Sequence, residues 1–130
     1  MSTRLLQAVC QSVVESLVSQ TSGIDSAAIV TGDGFEVASV LRSGLSAEKL
    51  AAMSSSQLAL SEAMASEMGM QRCQYVIVDT ENGAALTLRS PNRPHDPLTC
   101  VLCSDGVSLG SVLYAARDTA RALARRLLPV

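Results

Sequence analysis

The chain has 130 residues, 48% of them hydrophobic, a net charge of −2 and only three aromatic residues, Phe35, Tyr75 and Tyr114. That length suits one domain able to bury about two-thirds of its unfolded surface without disulfide staples. The slight acidity and the lack of stacking platforms argue against nucleic acid as a partner, and no run reaches the roughly 18 apolar residues of a membrane span.

From the N-terminus, Met1-Ser2-Thr3-Arg4-Leu5-Leu6 leads into a helical pattern broken by Gln7, Gln11 and Glu15, with no apolar block of a secretory signal. A cytoplasmic location is therefore expected, with Cys10, Cys73, Cys100 and Cys103 reduced and buried. Residues 3–21 predict an amphipathic helix, because Leu6, Val9, Val13 and Leu17 recur at spacings of three and four. Gly23 can end it. A strand over 24–31, the turn Gly32-Asp33-Gly34 and a strand over 35–41 follow, the Asp-Gly pair marking a tight hairpin.

Ser46 caps a second helix running to about Met68, where Gly69 stops it, and Glu48 lies near its positive end. This helix carries two apolar stripes. One is Leu50, Met53, Leu60 and Met64 with Gln57 in line; the other is Ala47, Ala51, Leu58 and Ala65, padded by Ser54, Ser55 and Ser61. An outer helix of a small domain needs only one buried face, so one stripe is expected on the sheet and the other on a partner. Spacing alone does not say which is which.

Arg72–Asp79 predicts a third strand, and Ala84–Arg89 its return across Glu81-Asn82-Gly83, where Asn-Gly signals a type I′ turn. The loop Ser90–Pro97 holds three prolines and cannot continue a sheet. Leu98–Ser104 is a fifth strand, Asp105-Gly106 turns the chain, and Ser108 caps a last helix to about Leu128 with the stripe Leu109, Val112, Leu113, Ala116, Ala120, Leu123 and Leu127. The order α-β-β-α-β-β-β-α with two hairpins implies one α+β domain over 1–130 built on an antiparallel sheet, which excludes a doubly wound parallel fold.

No residue set carries a catalytic signature. Cys100 and Cys103 have a metal-like spacing, but residues three apart on a strand point to opposite faces, and zinc would need further ligands where His95 is the only histidine. No recognised motif sets a nucleophile beside His95. Gly32-Asp33-Gly34 lacks the lysine and following helix of a phosphate loop. Arg117, Arg121 and Arg125 recur every four residues, which suits either an acidic partner, an anionic membrane surface or a solvated face at the negative end of a helix dipole. Met53, Met64 and Met68 fit an adaptable contact surface as well as a plain core. No cofactor or metal is expected.

The stretch Gly23-Ile24-Asp25-Ser26-Ala27-Ala28-Ile29-Val30-Thr31-Gly32-Asp33-Gly34-Phe35-Glu36-Val37-Ala38-Ser39, the Ala/Ser/Met-rich helix after Leu50 and Val76-Ile77-Val78-Asp79 before an Asn-Gly hairpin resemble the Roadblock/dynein light chain family. The resemblance implies a five-stranded antiparallel sheet of profilin-like architecture, with the first and third helices on one face and the second on the other. It also implies dimers in which second helices pair and third strands meet edge to edge, and a role in regulating Ras-like small GTPases or as an adaptor on motor and signalling complexes. The long Ser90–Pro97 loop departs from the shorter connection of that pattern.

The residues support a dimer independently. The third strand over 74–78 is apolar on both faces, and as an open edge it would pair promiscuously unless covered, as a twofold mate would do; the alternative is a central position in the sheet. The expected interface is Leu50, Met53, Gln57, Leu60 and Met64 with Gln74, Val76 and Val78. The expected function is that of a non-catalytic homodimeric regulator or scaffold. A small-ligand sensor is the alternative, and it lacks the aromatic walls such pockets use.

Overall fold

The computed structural model describes residues 3–89, 98–104 and 109–126. The Ser90–Pro97 loop, His95 and the Ser108 cap lie outside these, as do the side chains of Cys100 and Cys103. The elements run α1 (Thr3–Gln20), β1 (Ile24–Thr31), β2 (Glu36–Val40), α2 (Ala47–Glu67), β3 (Tyr75–Thr80), β4 (Gly83–Arg89), β5 (Leu98–Ser104) and α3 (Leu109–Arg126). The chain is thus α+β, with three helices and antiparallel strands.

The two hairpins, β1–β2 and β3–β4, are joined through β5, giving the sheet order β2-β1-β5-β4-β3. The last strand in sequence therefore fills the centre, pairing Ile29 with Cys100 on one side and Leu88 with Cys100 on the other. β1 is buried along almost its whole length. That position explains its small residues Ser26, Ala27 and Ala28, which let helices approach both faces. The buried Ser26 hydroxyl is satisfied by accepting from the Arg42 N–H at 3.0 Å.

On one face, α1 and α3 cover the larger core. Cys10, Val13, Val14 and Leu17 meet Val112, Ala116, Ala120 and Leu123 over Ala27, Ile29, Leu86 and Leu88. On the other face lies a smaller cluster of Ala28, Val30 and Ala51 with Leu41 against it. The alternation along β1 and β4 sorts side chains between the two layers, as period-2 geometry requires.

α2 starts and stops where its sequence says. The Ser46 hydroxyl accepts from the Lys49 N–H at 3.2 Å, a cap whose loss costs about 1 kcal/mol. At the far end, Gly69 takes φ +72°, its N–H reaches Ser66 O and the Met70 N–H reaches Ala65 O. This double bond pattern satisfies carbonyls that the helix end leaves open.

Three local expectations are corrected. Gln74 lies before β3, which begins at Tyr75. Thr80 pairs with Gly83, so Glu81 and Asn82 form the turn, one position earlier than an Asn-Gly type I′ turn would sit. The Thr80 hydroxyl holds that register by donating to Gly83 O at 2.7 Å. The first hairpin turns over the four residues Gly32–Phe35, so β2 begins at Glu36 and Phe35 is exposed. Gly34, at φ +95°, is needed twice there. A Cβ would be strained by that φ and would also stand 3.0 Å from Ser55 Oγ of α2.

Candidate protein-interaction surface

α2 decides the question its sequence left open. Ala51, Ser54 and Leu58 are buried on the sheet, because small side chains let the helix sit close to Ala28 and Val30. The bulky stripe points away, with Met53 64%, Leu60 65% and Met64 56% exposed. Met68 and Met70 extend the exposed apolar surface past the helix end. Leu50 and Gln57 are half-buried at its margin.

The surface is apolar by omission of charge as well. Between Lys49 and Glu67 the one charged residue is Glu62. Its carboxylate is mostly covered and turned toward Arg89, with Oε1 3.1 Å from Arg89 Nη1 and 4.0 Å from Arg72 Nε. Gln57 is drawn inward too, its Oε1 accepting from the Thr87 hydroxyl at 3.1 Å. Expected in contact with a partner, Gln57 commits its acceptor to β4.

β3 is an edge of the sheet, which removes the alternative of a central position. Tyr75 and Ile77 pack on the α1/α3 core, so Val76 and Val78 fall on the α2 side, with Val78 exposed. Among the described residues, an unpaired strand edge thus adjoins an uncharged helix face. Gln74 is exposed just ahead of the strand and accepts from Arg117 Nη2 at 3.3 Å.

Where α2 ends, the turn at Gly69 brings the chain back along the helix. Met64, Ala65, Met68, Met70 and Cys73 then line a shallow apolar groove of about 360 Å³. Met70 was not among the expected interface residues. Its signal was the run Met64, Met68, Met70 across a helix-terminating glycine.

Arg117 stacks over the Tyr75 ring at 5.3 Å while bonding Gln74, and Arg121 and Arg125 are exposed. Gly32-Asp33-Gly34 is a turn between strands, closed by the Thr31 hydroxyl at 2.6 Å from Asp33 Oδ1. Arg42 pairs with Asp25 at 2.8 Å. Cys10 is buried and Cys73 half-buried, the Cys73 thiol donating to Tyr75 O at 3.4 Å. Among the described residues, no group of His, Cys, Asp and Glu side chains forms a metal-ligating cluster, and no helix is long and apolar enough to cross a membrane.

The Roadblock/LC7 domain model matches residues 11–92. The chain belongs to the Roadblock/LC7 family. No curated protein matches it. Among solved structures, the gliding protein MglB of Thermus thermophilus superposes with a TM-score of 0.77 at 21% identity, covering 92% of this chain and 89% of that one. An MglB described in a tetrameric arrangement gives 0.76 at 24% identity, covering 92% and 88%. Profilin II of Acanthamoeba castellanii gives 0.63 at 16% identity, covering 90% and 98%. At these identities the likeness establishes the fold. The matched segment of this Roadblock/LC7 chain runs from α1 through both hairpins and all of α2, so it includes the exposed helix face and the open strand edge.

Proposed function

We propose that this Roadblock/LC7 protein is a non-catalytic cytoplasmic regulator or scaffold. It pairs with a second copy through Leu50, Met53, Gln57, Leu60 and Met64 of α2 and through Val76 and Val78 of β3, with Gln74 at the rim, and the pair binds a Ras-like small GTPase or a larger signalling assembly. The observation that carries this reading is the uncharged outward face of α2 beside the open edge of β3. A monomer gains nothing from exposing Met53, Leu60 and Met64 together, whereas a twofold contact buries them against themselves. Methionines suit such a surface because they repack against a partner's shape. The GTPase follows from family membership, which associates this domain with regulation of Ras-like switches.

The test is to titrate wild-type protein and Leu60→Asp into Ras-like GTPases carrying a fluorescent GTP analogue, reading anisotropy. Binding by the wild type that the variant loses supports a dimeric platform. Failure of every GTPase to bind, or equal binding by the variant, contradicts it.

A further inference from the structure

The face opposite α2 carries the opposite chemistry. Along α3, four arginines stand against Asp118, a net of +3, so the rest of a chain whose total is −2 carries −5. Arg117 is committed to Gln74 and Tyr75, while Arg121, Arg125 and Arg126 are exposed over the last two turns. Beside them, between α1 and α3, runs a groove of about 790 Å³ whose walls include Ser16, Gln20, Tyr114, Thr119 and Arg126. Tyr114 is 75% exposed.

We infer that this groove binds an acidic peptide segment of a protein partner. Its shape favours a chain over a membrane, since a bilayer is flat on this scale and would touch only the ridge of α3. From Gly110 to Arg126 the groove wall is about 24 Å long at the rise of an α-helix, room for about seven extended residues. Hydroxyl and amide side chains along the walls can bond a peptide backbone, and Tyr114 offers a ring with a polar tip. Arg126 on the wall and Arg121 and Arg125 on the adjoining ridge face the carboxylates, with guanidinium geometry suited to them. Asp118, which also lines the groove, opposes a carboxylate at its own position and so favours a particular register. The acidic remainder of the molecule repels such a segment and confines it to the α1/α3 face.

The probe is a fluorescein-labelled oligoglutamate, followed by anisotropy at rising ionic strength. Saturable binding is expected, weakening with salt as screening requires. Arg121→Gln/Arg125→Gln/Arg126→Gln should weaken it by about tenfold or more. Ser16→Trp changes one exposed side chain and no charge, and by filling the groove it should weaken binding comparably. Leu60→Asp should leave it intact, so this inference stands or falls apart from the α2 pairing. Absence of saturable binding overturns the inference. So does normal binding by Ser16→Trp, which would mean diffuse attraction to the ridge, or capture of phosphatidylserine vesicles by wild type and Ser16→Trp alike, which would mean a membrane surface.

Discussion

α2 and α3 lie on opposite faces of one sheet, and each buries a stripe of small and medium apolar side chains. Their outward faces differ completely. α3 turns Tyr114, Arg121 and Arg125 to solvent, as a helix with one buried face should. α2 turns out Met53, Leu60 and Met64 and keeps its single mid-helix charge, Glu62, beside Arg89. Two helices of similar length thus meet different demands. A face that stays wet tolerates charge, whereas a face that a partner dries is depleted of it. The location of the missing charges, more than the hydrophobic total, is what the proposed pairing through α2 rests on.

The comparison breaks most sharply within α2 itself. Leu58 is 4% exposed, so Leu58→Ala should cost about 3 kcal/mol of protomer stability, read as a lower urea midpoint. Leu60, two residues on, should behave in the opposite way. Leu60→Asp should raise the dimer dissociation constant about 30-fold, the effect of losing a contact worth about 2 kcal/mol, while the fold seen by circular dichroism persists. The hairpin tip that braces the inner flank of α2 is next. Gly34→Val should cost about 1–2 kcal/mol from its backbone angle, with more added by the approach to Ser55, and a thermal melt would show it. The smallest effects sharpen the reading of α3. Arg117→Ala should cost about 1 kcal/mol through lost contacts with Tyr75 and Gln74, and Arg121→Ala should stay within about 0.5 kcal/mol. Equal losses from the two arginine variants would show that the outward face of α3 supports the fold more than its exposure implies.

Much of this was legible in the residues. Ser46 and Gly69 bounded α2 because capping is local chemistry, and the run Ile24–Thr31 marked a strand. The first-hairpin pattern, the Ala/Ser/Met-rich helix after Leu50 and the stretch from Val76 to Asp79 carried the family resemblance. What was not legible depended on distant neighbours. Both stripes of α2 are apolar, and the choice between them lies with Ala28 and Val30, far away in sequence, against which Ala51 packs while Met53 stays exposed. Gln57 reads as part of the outer stripe until Thr87 is brought across from β4. The turn at Glu81 and Asn82 escaped the Asn-Gly rule because strand pairing, reinforced by the Thr80 hydroxyl, set the register one residue earlier. Gln74 reads as strand, but β3 forms only from Tyr75, where pairing with Leu88 begins.

In the proposed dimer the uncharged face of α2 is dried by a second copy of the chain. Light scattering over a dilution series tests it most directly. A mass near twice 13.6 kDa is expected at micromolar concentration, falling to a single protomer in Leu60→Asp. A wild-type protein that is monomeric throughout, or a Leu60→Asp variant as dimeric as its parent, would contradict it.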